Sequence, residues 1–153
     1  MKLVEVAANN KYAGTQAQII EYIDRASKLF GVESLYGGNC GMFAKSMLEC
    51  INAPNMYYAV LFRDVSVAIE DERELLEVET DIYHIVVEFL GKFYDGSGEI
   101  SPSSLLDFAY SEYKDDSPGF LHEIKPSKII DSIITNDTNW SISAEYFKKQ
   151  MAV

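Results

Sequence analysis

The chain has 153 residues, 48% hydrophobic and 24% charged, and this length and composition predict one globular domain spanning residues 1–153. Its formal net charge of −11 makes nucleic acid a poor partner, because phosphate binding needs a surface of lysine and arginine, and it favours neutral or basic partners, so we expect no nucleic-acid partner. No run of 18 apolar residues is present to cross a bilayer, and Met1–Val6 does not resemble a signal peptide, so we expect no membrane partner and a cytoplasmic location.

The first predicted element is a helix over residues 15–30. Thr15-Gln16-Ala17-Gln18 has the form of a capping box, and the apolar residues behind it recur at helical spacing. Gly31 follows the last apolar position, where a glycine commonly ends a helix. These signals predict a helix of about four turns.

A second helix is predicted over Cys40–Ile51. Gly37-Gly38 forms a turn before it, Asn39 is a natural N-cap residue, and Pro54 closes the segment because proline cannot continue a helix. This reading places Cys40 in the first helical turn.

The middle of the chain is predicted to form strands. The segment Met56–Phe62 is aromatic and branched, and Ile82–Leu90 has the same character. Residues 64–80 are rich in Glu and Asp, which predicts a short strand followed by an exposed acidic helix or loop. A tight hairpin turn at Gly91-Lys92 then leads into a return strand at Phe93-Tyr94.

The remaining segments favour helices over residues 103–110, 126–134 and 141–151, with a loop over residues 115–119. Helices, then mostly antiparallel strands, then helices is the order of an α+β domain. We therefore expect one antiparallel sheet packed against helices.

The two cysteines are predicted to differ in reactivity. Ten residues on one helix separate Cys40 from Cys50 by roughly 15 Å, too far for a disulfide. Only a thiolate is nucleophilic, and the first turn of a helix favours the anion through its unpaired N–H groups and positive dipole end. Cys40 therefore fits a nucleophile. Cys50 shares a face with Phe43 and Met47 and fits an inert core cysteine.

A base for this thiol must come from one of two histidines, His84 and His122. His84 begins an apolar strand and is the preferred candidate, with His122 as the alternative. Pairing about a Gly91-Lys92 turn places Asp95 opposite Glu88, roughly 13 Å along the strand from His84. A contact between His84 and Asp95 then requires a bulge or another neighbouring strand.

Two segments resemble the papain-like and transglutaminase-like cysteine enzymes. Gly38-Asn39-Cys40-Gly41-Met42-Phe43-Ala44 is similar to their helix-opening Gly-x-Cys-x-x-x-Ala, and residues 84–96 are similar to their His-x-x-Val-x-x-x-Gly-x-x-Tyr-Asp segment. The order Cys, His, Asp also matches. The resemblance implies a Cys40–His84–Asp95 triad, with Cys40 as nucleophile, His84 as its base and Asp95 orienting the imidazole.

Two further residues beside Cys40 are predicted to serve the substrate. The helix N–H groups can stabilise an oxyanion, and the Asn39 amide is a candidate further donor. Gly41 is expected to leave room for a substrate to approach. The chain lacks the Cys-Trp pair of papain and a recognisable upstream glutamine.

No metal or cofactor is expected. Residues 95–101 are similar to the middle of a calcium loop, but Phe93 and Ser104 occupy its first and last positions, where carboxylates are needed. The two cysteines and two histidines show no zinc-ligand spacing.

Three functional hypotheses follow. The first is a papain-like cysteine hydrolase or acyltransferase acting on a peptide or protein amide, a class that includes peptidases, deamidases and transglutaminases. The second is a cell-wall amide hydrolase, since residues 39–43 also resemble the Asp-Cys-Ser-Gly-Leu box of those peptidases. The third is a small acidic binding protein or inhibitor with an inactive thiol-enzyme fold. The oligomeric state is left open.

Overall fold

The computed structural model describes residues 3–35, 37–62, 82–105, 120–124, 127–137 and 139–152. Its helices are α1 (Leu3–Phe30), α2 (Cys40–Ile51), α3 (Lys128–Asn136) and α4 (Ala144–Met151). Its strands are β1 (Met56–Phe62), β2 (Ile82–Phe89), β3 (Lys92–Asp95), β4 (Gly98–Ile100) and β5 (Phe120–Ile124). Residues 102–105 form one further helical turn.

Helix α1 is longer than predicted at its start and ends where predicted. The predicted capping box at residues 15–18 lies inside the helix: no proline precedes it, and a single interior glycine, Gly14, costs a helix only about 1 kcal/mol. Gly31 adopts a φ of 83° and its N–H donates to the Ser27 carbonyl at 2.8 Å. The positive φ is one that glycine adopts without strain, so the predicted stop is confirmed.

Helix α2 has the predicted bounds. Two short 3₁₀ segments, Val32–Leu35 and Gly37–Asn39, lead into it, and Cys40 is its first residue. Its last residue is Ile51; the N–H of Asn52 makes the final helical bond, to the Leu48 carbonyl at 3.0 Å, and the left-handed backbone of Asn52 (φ 47°) then turns the chain out of the helix. Its apolar face is buried against the sheet, so Cys40 is held at one end of a packed helix.

The five described strands form one antiparallel sheet in the order β4-β3-β2-β1-β5. The predicted α+β class, with an antiparallel sheet packed against helices, is therefore confirmed. Strand β1 has its predicted bounds, whereas the three-residue β4 was not predicted. β4 is too short for a period-two pattern to be recognised in the sequence.

The hairpin between β2 and β3 turns one residue earlier than predicted. Phe89 pairs with Lys92 and Val87 pairs with Tyr94, so the two turn residues are Leu90 and Gly91 rather than Gly91 and Lys92. Both have positive φ, 52° and 82°, as in the type I′ turns that match the twist of a hairpin. Continuing this register by one residue places Asp95 opposite Val86 instead of Glu88, which moves Asp95 two residues closer to His84.

Apolar side chains are buried on both faces of the sheet. On one face Ile85, Val87 and Tyr94 pack with residues of α1, α2, α3 and α4 in the main core. A smaller cluster contains Ala59, Leu61, Val86 and Leu105. None of the helices in the described part of the chain is both long enough and apolar enough to cross a bilayer.

The remaining predicted elements agree in part with the structure. The helices predicted over 126–134 and 141–151 correspond to α3 and α4, each beginning two or three residues later after a serine that caps it, Ser127 and Ser143. The acidic segment 64–80, most of the helix predicted over 103–110 and the loop 115–119 lie outside the described residues.

The turn geometry predicts opposite effects for two neighbouring substitutions. Leu90 is exposed, and its left-handed backbone is unfavourable by about 1 kcal/mol for a residue with a large side chain. Leu90→Asn should therefore raise the free energy of unfolding by about 0.5–1 kcal/mol, because asparagine is favoured in this turn. Gly91→Ala should lower it by about 1 kcal/mol. Urea denaturation measures both values, and two shifts of the same sign would contradict the assigned turn.

Candidate active site

Cys40 lies at the start of α2 and is only partly exposed. It packs against the edge of the main core, so the sulfur is neither sealed among apolar side chains nor fully in water. The first turn of a helix has N–H groups without intrahelical partners and carries the positive end of the helix dipole. A helix start of this kind stabilises negative charge that develops close to it.

His84 and Asp95 form a buried pair. His84 Nε2 lies 3.2 Å from Asp95 Oδ2, and the two residues are only 2% and 4% exposed. The observed hairpin register explains the contact: Asp95 lies opposite Val86, so His84 is its diagonal neighbour on the adjacent strand. Diagonal neighbours are about 7–8 Å apart at the backbone, within reach of long side chains. The bulge or alternative strand that the predicted turn required is not needed here.

The pairing of His84 with β1, on the side away from β3, is nevertheless irregular. Leu61 of β1 pairs with His84, but the next residue, Phe62, pairs with Ile82, so β2 has one extra residue between the two pairs. Such bulges increase the local twist and change the direction of a strand. The strand is therefore bent at the end where the imidazole meets the start of α2.

The His84 ring also interacts with the Cys40 thiol. Burial alone would lower the pKa of His84, but the hydrogen bonds and charges of Asp95 and Cys40 outweigh burial and raise this pKa to about 9. The three predicted triad residues are thus brought together around one imidazole.

The carboxylate of Asp95 is held by a second set of hydrogen bonds. Its Oδ1 accepts from the backbone N–H of Ser97 at 2.8 Å and from the Ser97 hydroxyl at 2.5 Å. Burial would raise the pKa of Asp95, but the hydrogen bonds from His84 and Ser97 outweigh it and hold the pKa below its usual range. Ser97 was missed in the sequence, although Asp-Gly-Ser is a sequence in which an Asp side chain commonly bonds the N–H two residues on.

Asn39 serves the backbone rather than the helix cap or an oxyanion. It stands at the N-cap position of α2 but makes no side-chain hydrogen bond to the first turn. Its Oδ1 accepts from the N–H groups of Ser141 and Ile142, and its Nδ2 donates to the Ser34 carbonyl and the Ser141 hydroxyl. Both amide hydrogens are used in this way, so the geometry argues against the predicted oxyanion role.

The two glycines around Cys40 are packing positions. A Cβ at Gly38 would lie 2.0 Å from the backbone oxygen of Asn139. A Cβ at Gly41 would lie 3.2 Å from the side chains of Ile85 and Ile134, and Gly41 is buried. The space predicted for a substrate beside Gly41 is thus filled by the core, because α2 packs closely on β2 and α3.

Cys50 is exposed, so the prediction of a core cysteine was wrong. It belongs to the last turn of α2, where the helix extends past its buried residues, which end at Leu48. The backbone of the alternative base, His122, pairs with Val60 in the sheet, and its side chain lies outside the described residues. In the part of the chain that the structure describes, no group of three or more His, Cys, Asp or Glu side chains is placed to hold a metal ion.

Comparison with known proteins does not assign the chain to a family. No family model matches it, and neither a curated protein nor a solved structure matches it. The resemblance to papain-like and transglutaminase-like enzymes therefore stays a prediction from short motifs.

The raised pKa of His84 predicts a specific pH dependence. The chain has two histidines, so NMR titration of both rings in wild type and in His84→Gln identifies the His84 signal, which should titrate near pH 9. Because this pKa lies above the ordinary 6.5, the interaction stabilises the fold fully below about pH 6.5 and is lost as the pH rises through 9. Asp95→Asn should lower the pKa of His84, and a wild-type value near 6.5 would contradict the pair.

Asn39 is predicted to be important for stability. Asn39→Ala removes the acceptor of two backbone N–H groups and a donor to a third backbone group in a site that is 8% exposed. The free energy of unfolding should fall by about 2–4 kcal/mol, since buried polar groups lose their partners. The matched control is Asn136→Ala, at an exposed position of α3, which should change the free energy of unfolding by less than about 0.5 kcal/mol. Equal effects in urea denaturation would refute the role of Asn39.

Proposed function

We propose that the chain is a cysteine hydrolase or acyltransferase of papain-like type that acts on an amide carbonyl. Cys40 is the nucleophile, His84 the general acid and base, and Asp95 the residue that orients the imidazole. One observation carries this proposal: a buried imidazole interacts with a carboxylate at one side and with a thiol at the start of a helix at the other.

In this proposal the His84 ring is cationic in the resting state. A pKa of about 9 leaves the His84 ring protonated near neutral pH. An imidazolium beside a sulfur at a helix N-terminus favours the thiolate, the nucleophilic form. Asp95 then stabilises the charge of the ring through its contact with Nε2.

The reaction proceeds in two balanced halves. The Cys40 thiolate forms a C–S bond with the amide carbonyl carbon, and the carbonyl oxygen becomes an oxyanion beside the N–H groups of the first turn of α2. As the C–N bond breaks, His84 gives its proton to the leaving nitrogen, which departs as an amine and leaves a thioester. Water or a second amine then attacks the thioester and transfers a proton to neutral His84, and the thiolate is released.

The substrate class follows from the chemistry and the charge. Any amide whose carbonyl reaches the start of α2 satisfies the mechanism, including peptide bonds, side-chain amides and cell-wall cross-links. The net charge of −11 favours a neutral or basic peptide or protein over an acidic one. Transfer requires an amine that reaches the thioester before water does.

Two single-thiol proteins test the proposal, because the chain has two cysteines in all. Cys50→Ser leaves Cys40, and Cys40→Ser leaves Cys50, which is exposed. At pH 6 an ordinary thiol with a pKa of about 8.5 is less than about 1% ionised. Cys40 should react with iodoacetamide at least about tenfold faster than Cys50, and His84→Ala should remove this advantage.

The Cys40→Ser protein, which retains Cys50, is the control for the histidine substitution. Its alkylation rate should be the same with and without His84→Ala. Equal, slow labelling of both thiols would overturn the proposal. In that case an acidic binding protein with an inactive thiol-enzyme fold is the better description, and a complex with a basic partner should survive Cys40→Ser unchanged. Where Cys40 is reactive, a panel of peptide amides scored for released ammonia and new amino termini identifies the amide class, and purified peptidoglycan tests the cell-wall class.

A further inference from the structure

The β3–β4 turn places a hydroxyl on the carboxylate that faces His84. Asp95 Oδ1 accepts two hydrogen bonds from Ser97, from its N–H at 2.8 Å and its Oγ at 2.5 Å, while Oδ2 faces the ring. The two carboxylate oxygens therefore have separate tasks. One is tied to the turn and the other to the imidazole.

This division matters because a carboxylate rotates easily about its last bond. The terminal torsion of an aspartate is broad, with no strongly preferred angle. Two donors from one residue to one oxygen define the plane of the group and direct Oδ2 toward His84 Nε2. Removal of the hydroxyl takes away one of these two bonds, so the turn then holds the plane of the carboxylate less firmly.

The turn that carries Ser97 is itself firmly placed. Asp95 pairs with Gly98 across it, and a Cβ at Gly96 would lie 2.5 Å from the Cβ of Leu35, which is fully buried. Leu35 belongs to the 3₁₀ segment just before the one that leads into Cys40. The turn is thus packed against the segment that positions the nucleophile.

We propose that Ser97 is a positioning residue for the triad, whose hydroxyl fixes the Asp95 carboxylate so that Oδ2 stays on His84 Nε2. This inference rests on the proposed function, in which Asp95 orients the imidazole. Ser97 acts through Asp95 and has no contact with the reacting atoms in this mechanism.

The direction of a pKa change separates positioning from a simple charge effect. Among the residues that the structure describes, the titratable groups that shift the pKa of His84 are Asp95 from β3 and Cys40 from α2. If the Ser97 hydroxyl only neutralised part of the Asp95 charge, its removal would strengthen the pull on the ring and raise the pKa of His84. If the hydroxyl holds the carboxylate in place, its removal weakens the contact and lowers that pKa.

The experiment compares Ser97→Ala, Ser97→Thr and the matched control Ser103→Ala, an exposed serine whose hydroxyl meets that of Ser101. NMR titration of His84 should show a pKa lower by roughly 0.5 to 1 in Ser97→Ala, and values equal to wild type in the other two. Threonine retains the hydroxyl, and Ser97 is exposed, which leaves space for the added methyl group. Far-UV circular dichroism confirms that each variant is folded before titration.

A pKa of His84 that is unchanged or higher in Ser97→Ala overturns the inference, as does a fall that Ser97→Thr fails to reverse. The titration uses no substrate and no thiol reagent. The pKa of His84 can therefore stay unchanged in Ser97→Ala while Cys40 of the wild type still reacts rapidly with iodoacetamide. That result would overturn this inference and leave the proposed function standing. With the inference correct, Ser97→Ala also slows iodoacetamide labelling of Cys40 at pH 6 about two- to tenfold, less than His84→Ala does.

Discussion

The contact between His84 and Asp95 depends on the register of one hairpin. A two-residue turn at Leu90-Gly91 makes the two residues diagonal neighbours on β2 and β3. A turn one residue later would move Asp95 two positions along the partner strand, and the carboxylate would no longer reach the ring. A shift of two positions keeps Asp95 on the same face of the sheet, so the contact would be lost through distance along the strand, about 3.3 Å per residue. The contact between His84 and Asp95 is thus set by the backbone register of this hairpin.

The third member of the triad comes from a different part of the fold and needs a separate constraint. Asn39, the residue directly before Cys40, is hydrogen-bonded to the segment that joins α3 to α4, about one hundred residues further along the chain. Gly38 and Gly41 allow this segment and the sheet to approach without a side chain between them. The thiol is therefore positioned by packing on both sides of the helix start, and the imidazole by the sheet.

Local signals were predictable from the sequence, and long-range ones were not. The bounds of α2 and β1 follow from a glycine pair, a proline and a run of branched and aromatic residues, all of which act within a few residues. The turn was misplaced because Leu90 carries no turn signal, and the sheet imposes its left-handed backbone. The bonds of Asn39 and the exposure of Cys50 depend on what packs beside α2, which no local pattern reveals. The triad residues were identified by residue type and order, whereas Ser97 required the geometry of the turn.

Burial divides the candidate site into two zones with different tasks. His84 and Asp95 are almost fully buried, where a hydrogen bond between charged groups is not screened by water. Cys40 alone among the three is partly exposed, so solvent reaches this residue while His84 and Asp95 stay buried. A cationic ring in this position is stable only because Asp95 and Cys40 supply compensating negative charge or hydrogen bonds, since an unpaired buried imidazolium would lose its proton. The charge on the ring therefore depends on both neighbours, Asp95 and Cys40.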